Sequence, residues 1–249
     1  MIYGEFADVY DQLMNDYDYD AWSEYYLHLI DPAKSDDRPL RVAECACGTG
    51  NLTVRFAKHD CSITGIDASA AMLRVAEQKA RQFGVRAALV CADMRQFRLA
   101  KPADAVLATC DGVNYLTDEK DVRAFFINAR RALRQGGLLC FDLSTRYKLE
   151  EMIGNRFLGE ERDGIAYLWG NHLDKLRHII TMDITCFVRE QDGRYRRFRE
   201  IHRQRAHSTK EIAEWLHACG FSEIEVFGEM RTNPPEPEDS RIHVRAVAV

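Results

Sequence analysis

The run Val42-Ala43-Glu44-Cys45-Ala46-Cys47-Gly48-Thr49-Gly50 carries a short apolar segment straight into a glycine turn. Leu40–Ala46 reads as a buried strand, and Asn51–Lys58 beyond the turn opens a helix. Glycine lets a backbone bend sharply and approach a ligand closely. The N-terminus of the helix that follows offers unpaired N–H groups. Two nucleotide fingerprints fail on this loop. A GxGxxG dinucleotide turn counted from Gly48 would need glycine at Thr53, and counted from Ala46 it would need glycine at Asn51. No lysine follows as a P-loop requires.

Outward from the turn, strand and helix alternate. Ser62–Ile66 is the next strand, and Ala70–Phe83 is a helix that Gly84 ends. Ala87–Cys91 and Ala103–Thr109 are further strands. Asp118–Leu133 is a long amphipathic helix closed by Gln135-Gly136-Gly137, and Leu138–Leu143 is a fifth strand. Short apolar strands alternating with helices predict a parallel, doubly wound α/β sheet. Upstream, Phe6, Val9, Tyr10, Leu13 and Met14 recur at helical spacing. So do Trp22, Tyr25, Tyr26, Leu29 and Ile30.

The pattern changes after the fifth strand. Gly164 to Arg205 has no helical period, and Ile179–Arg189 and Tyr195–Arg205 alternate apolar and polar residues around Asp192-Gly193. That is a hairpin signal in an antiparallel sheet. Ser208 and Glu211 then form a capping box for a helix to Ala218. Ile224–Phe227 and Ile242–Val249 supply two last strands, giving a Rossmann-like, mostly parallel sheet of seven.

Composition narrows the partners. A length of 249 residues with 46% hydrophobic content suits one sizeable domain carrying an inserted cap. A net charge of −5 disfavours a nucleic-acid partner, and no apolar run reaches membrane-span length. The acidic, amphipathic start lacks the pattern of a signal peptide, so the expected location is cytoplasmic. The eight cysteines lack metal-ligand spacing and read as small apolar residues, with no metal expected. Three successive strands end in acids, at Glu44, Asp67 and Asp93. Ligands of such sheets bind beyond the carboxyl ends of the strands. A pyrophosphate would be repelled there; a ligand with a ribose, an exocyclic amine and a cationic centre would not.

Glu44-x-Ala46-x-Gly48-x-Gly50, Gly65-Ile66-Asp67-x-Ser69, Ala92-Asp93-Met94 and Leu133…Gly136-Gly137 resemble the class I S-adenosylmethionine-dependent methyltransferases. Tyr10-Asp11-x-Leu13-Met14, Asp111-x-x-Asn114-Tyr115-Leu116, Phe141-Asp142 and Glu200-x-His202-Arg203-x-Arg205 are similar to one bacterial group of candidate small-molecule methyltransferases. The resemblance implies S-adenosylmethionine as cofactor. It places Gly48, Thr49 and Gly50 under the methionine part, with Glu44 at its ammonium. Asp67 takes the ribose hydroxyls, and Asp93 accepts from the adenine amine beside Ala92 and Met94. Ala68 and Met72 flank the adenine, and Cys110 lies in the loop beside the methyl group. Tyr10 belongs to an N-terminal helical lid over the cofactor. Ala46 departs from the family pattern, which has glycine there.

The expected organisation is a lid over residues 1–36, a cofactor-binding core over 37–145 and 207–249, and an inserted antiparallel cap over 146–206. Methyl transfer from a sulfonium is an in-line displacement in which positioning supplies much of the rate. Asp111, Tyr115 and His202 are the catalytic candidates, because an ammonium or hydroxyl acceptor needs a base to take its proton. Arg203 or Arg205 would suit an anionic group on a small-molecule substrate. The rival readings are an RNA or protein methyltransferase gripping its substrate with Arg194–Arg205, a non-catalytic cofactor sensor, and a nicotinamide oxidoreductase. The last of these conflicts with the missing third glycine and the acidic strand tips.

Overall fold

Strand residues alternate between two cores, and that places helices on both faces of the main sheet. The computed structural model describes residues 4–14, 17–34 and 37–249. Position 36, expected to end the lid, lies outside them. The elements in chain order are α1 (Tyr10–Leu13), α2 (Tyr19–Ile30), β1 (Arg41–Cys45), α3 (Asn51–Lys58), β2 (Ser62–Asp67), α4 (Ala70–Phe83), β3 (Ala88–Cys91) and β4 (Ala103–Ala108). Then come α5 (Glu119–Ala132), β5 (Leu133–Ser144), β6 (Phe157–Arg162), β7 (Ile165–Asp174), β8 (Ile179–Arg189), β9 (Tyr195–Arg205), α6 (Thr209–Ala218), β10 (Phe221–Gly228) and β11 (Arg241–Ala248).

The main sheet has seven strands in the order β10-β11-β5-β4-β1-β2-β3. Six of the seven strands run in one direction, while β11 alone is reversed, antiparallel to both of its neighbours β5 and β10. Val42, Ala105 and Leu107 pack with Trp22, Tyr26, Leu29, Leu52 and Phe56 from α2 and α3. Ala43, Cys45, Val106 and Ala108 point the other way, onto Phe125, Phe126, Trp215 and Leu216 from α5 and α6. Period-two alternation in the strands thus feeds two separate apolar layers.

The segment after β5 leaves this sheet and forms a second one, antiparallel, in the order β6-β7-β8-β9. β8 and β9 have the bounds expected from their alternation. β6 carried no such signal, because all but its last residue are exposed. Asn114, fully buried, ties both ends of this excursion. Its Nδ2 donates to the carbonyls of Ser144 (3.0 Å) and Arg205 (2.8 Å), and its Oδ1 accepts from Ser144 N–H (2.9 Å). The N-terminal segment is broken at Val9 into a 3-10 turn over Glu5–Asp8 and the short α1, rather than one helix. Phe6 and Val9 pack on Ile165, Cys186 and Phe198 of the second sheet.

One glycine is required by packing rather than by a ligand. Gly50 has φ +75°, and a Cβ there would stand 2.8 Å from Ala76 Cβ on α4. Gly50→Ala is expected to cost about 1–3 kcal/mol through crowding and left-handed strain. Urea unfolding measures it, and an unchanged midpoint would contradict this account.

Candidate functional site

A cavity of about 550 Å³ opens at the carboxyl ends of β1, β2, β3 and β4. This is where the order of strands reverses about β1, the usual ligand crevice of an open α/β sheet. Glu44, Ala46, Gly48, Thr49, Asp67, Ala68, Met72, Ala92, Asp93, Met94 and Cys110 all line it, as does Tyr10 from α1. Gly50 does not, for it sits against α4 behind the turn.

The three acids differ in state. Glu44 is 2% exposed and accepts a hydrogen bond from the Thr53 hydroxyl. Burial drives its pKa up to about 8; the Thr53 hydrogen bond opposes that rise and the charge of Asp67 adds to it. Asp67 accepts from Gly48 N–H (2.9 Å) and Ser69 N–H (2.8 Å), which lock its rotamer. Burial raises its pKa against those two N–H groups. Asp93 instead binds Arg95 through Nε (2.9 Å) and Nη2 (2.5 Å), and Arg95 also reaches Asp121 at 2.9 Å. The Arg95 hydrogen bond holds the Asp93 carboxyl below its ordinary range. Arg95 and Asp121 both line the cavity and escaped the sequence reading. Arg95 stands two residues past Asp93, but nothing in the sequence tied it to a helix acid such as Asp121.

This donor set fits a cofactor of the expected chemistry. Glu44 is a buried carboxyl suited to a cation, and each Asp67 oxygen retains acceptor capacity beyond its one N–H. Ala68, Met72 and Met94 offer apolar contact for a flat ring. Ala46 sits in the left-handed region that favours glycine, with φ +54°. Its methyl group therefore reaches the cavity wall at a strain of roughly 1–2 kcal/mol.

The N-terminal segment grips the glycine turn directly. Asp11 of α1 accepts from Thr49 Oγ1 (2.6 Å) and Asn51 Nδ2 (2.9 Å) and pairs with Lys79 Nζ of α4 (2.6 Å). Lys79 also donates to Asn51 Oδ1. Asn51 and Tyr19, at the start of α2, line the cavity as well.

The tip of β4 corrects one expectation. Cys110 and Asp111 both have positive φ, +56° and +65°. Such non-glycine conformations persist only where surrounding contacts impose them. Asp111 is that clamp rather than an available base. Its N–H donates to Asp142 Oδ2 (3.0 Å), and its carboxylate takes Ser144 Oγ (2.7 Å) and Arg241 Nη1 (2.6 Å). Burial would raise its pKa, but Arg241 and then Lys148 outweigh burial and hold it low. It does not line the cavity. Asp142 is fully buried, paired with Arg241, and does not line the cavity.

Tyr115 does line the cavity, and its hydroxyl lies 3.3 Å from His202 Nδ1. His202 itself is not on the wall. It shares the inner face of β9 with Phe198 and Glu200, while Ile201 and Arg203 reach the cavity. Arg205 is paired with Glu211 at 2.5 Å. Arg203 makes no salt bridge among the described residues. No helix of the described residues is long and apolar enough to cross a membrane.

A family model described as a methyltransferase domain matches residues 42–137. A methyltransferase candidate of Geobacillus sp. (strain WCH70) is 32% identical over 242 residues, covering 97% of this chain and 98% of that protein. An S-adenosylmethionine-dependent methyltransferase from Clostridium acetobutylicum ATCC 824 has a similar structure, with a TM-score of 0.88 and 28% identity over 99% of this chain and 98% of that one. CalS10 from Micromonospora echinaspora, an amino pentose methyltransferase with its cofactor bound, shares the fold at a TM-score of 0.75 and 20% identity over 100% and 98% of the two chains.

Proposed function

We propose that this chain, which belongs to the class I S-adenosylmethionine-dependent methyltransferases, methylates a small-molecule acceptor held between the glycine turn and β9. The observation that carries the reading is the ring of acids on adjacent strand tips around one largely apolar cavity. When bound, the cofactor supplies an electrophilic methyl group on a sulfonium. The chain's work is to hold it, align the acceptor and manage the acceptor's proton.

In this reading Glu44 takes the ammonium end and the Gly48–Gly50 turn supports the methionine part. Asp67 takes the ribose hydroxyls. Asp93 and Met94 read the adenine edge, between Ala68 and Met72. Tyr10, whose phenol stays protonated because burial raises its pKa, closes the cavity over them. Residues 37–145 and 207–249 serve as the cofactor-binding core, and 146–206 supply the acceptor-side wall. The cavity's size and the net charge of −5 favour a small acceptor over a polynucleotide. The fold neighbour CalS10 acts on an amino pentose, a molecule of that order. Arg203, a cation on the wall without a salt bridge among the described residues, suits an anionic group on the acceptor.

The test is an acceptor screen with labelled cofactor over metabolite fractions, with total RNA as a separate arm. Label is expected in a small anionic metabolite. Arg203→Ala should raise KM for that acceptor roughly 10–100-fold, the worth of a charge-assisted hydrogen bond, with cofactor affinity unchanged. Label confined to the RNA arm would overturn the reading.

A further inference from the structure

Behind Tyr115 stands a row of polar groups that cofactor binding does not use. Tyr115 Oη lies 3.3 Å from His202 Nδ1, and His202 Nε2 lies 3.4 Å from Glu200 Oε2, within ion-pair range though outside hydrogen-bond geometry. The far oxygen of Glu200 accepts the N–H of Gly4 at 3.0 Å. Glu200 and His202 are two apart on β9, so both point to the same face. Their side chains are 8% and 2% exposed, while Tyr115 reaches the cavity. The row therefore runs from a buried carboxylate, through an imidazole, to a phenol on the wall.

Resting on the methyltransferase reading, we infer that Glu200, His202 and Tyr115 form a proton relay, and that the acceptor atom is an oxygen or nitrogen carrying a proton. Tyr115 is the catalytic residue, since it alone of the three meets the acceptor. His202 and Glu200 are positioning residues that act through it. The arrangement needs one tautomer: Nδ1 accepts from the Tyr115 hydroxyl and Nε2–H faces Glu200. A carboxylate orienting an imidazole, which in turn faces a hydroxyl, is the general logic of an activated O–H group. A thioether or other acceptor without a proton would give such a row nothing to do.

The step balances as follows. The acceptor's lone pair forms the new bond to the methyl carbon, and the carbon–sulfur bond breaks with its electron pair left on sulfur. The acceptor's proton passes to Tyr115 Oη while the phenol proton passes to His202 Nδ1. The imidazolium so formed is paired with Glu200, and its proton returns to solvent after release.

The titratable groups facing the His202 ring are Glu200 from its own strand and Tyr115 from the turn after β4. Tyr10 of α1 is coupled to Tyr115. Phe6, with its ring centre 6.0 Å away, and Met182 across the β8–β9 ladder add apolar groups beside the ring. The relay works only with His202 neutral.

Two arms test this. In the first, histidine nitrogen NMR on the full chain without acceptor is expected to show the Nε2–H tautomer for His202. Glu200→Gln is expected to reduce the share of that tautomer, because its amide offers a donor as well as an acceptor to Nε2. An Nδ1–H ring, or a tautomer share unmoved by Glu200→Gln, would overturn the relay even if methyl transfer itself is sound. In the second, using the acceptor found in the screen, Tyr115→Phe and His202→Gln each lower kcat roughly 10²–10⁴-fold, with cofactor heats intact. Glu200→Gln lowers kcat with KM for the acceptor unchanged, and Glu200→Asp restores part of the loss. Near-normal kcat in either of the first two variants refutes the inference. Loss of cofactor heats in the wild-type chain would instead strike the methyltransferase reading.

Discussion

Arg241→Met is expected to cost the fold about 3–5 kcal/mol, because it strands two buried carboxylates. Arg241 is 2% exposed and pairs with both Asp111 and Asp142, while Tyr17 Oη stands 3.1 Å from its Nη2 and the Trp22 ring centre 5.1 Å from its guanidinium carbon. Asp142 is fully enclosed, and the Asp111 side chain is 18% exposed. Urea unfolding at pH 7 should show the loss. Adding Asp111→Asn and Asp142→Asn to the same chain should recover part of it, since neutral amides need no counter-charge. The pH dependence has a definite sign. In the wild type Asp111 is held low, so its contribution is present above its unfolded pKa and is lost only as pH falls through the depressed folded value. In the variant burial acts on both acids without the guanidinium, opposed only by Lys148 and Ser144 at Asp111 and by the Asp111 N–H at Asp142, so the penalty is largest near neutral pH and shrinks toward pH 4. An equal penalty at pH 4 and pH 8 would show that the guanidinium acts through packing alone.

Glu44→Gln should move cofactor affinity and stability in opposite directions. The ligand-free chain holds this carboxyl at about pH 8 chiefly because it is buried. An acid whose folded pKa is raised weakens the fold increasingly as pH climbs from its unfolded value, near 4.5, to its folded one. Glutamine keeps the shape and an acceptor for Thr53 but cannot ionise. At pH 8.5 the variant is expected to be more stable than wild type by on the order of a few kcal/mol, and at pH 4 the two should coincide. Cofactor affinity should fall about 10–100-fold, the worth of a hydrogen bond to a charged group. Wild-type binding below pH 8 should also release a proton, because an ammonium partner favours the carboxylate. Calorimetry in buffers of different ionisation enthalpy reads that release. Equal stability of the two chains at pH 8.5 would mean that Glu44 is already compensated within the fold.

Much of this molecule was legible before its structure. The β8–β9 hairpin and the Ser208–Glu211 capping box follow from local rules, and their bounds agree with the coordinates. The acids of the strand tips converge because parallel strands all present the same end. What could not be read depends on long-range pairing. Asp111 resembled an available base because its partner Arg241 lies 130 residues away. Glu200 stood beside His202 in the alternation, yet nothing local showed that Tyr115, 87 residues from His202, would meet them. β6 was missed for a simpler reason. Phe157-Leu158-Gly159-Glu160-Glu161-Arg162 is an edge strand without a buried face, so its hydropathy has no period to detect.

The single amide of Asn114 clasps the chain both where it departs the main sheet at Ser144 and where it returns at Arg205. The excursion thus has one doorway, and its interior can be exchanged without disturbing the register of the strands that flank it. An exchange of the stretch between those two carbonyls would have to keep a seat for Phe6 and Val9, which rest on its strands and lead into Tyr10 on the cavity wall.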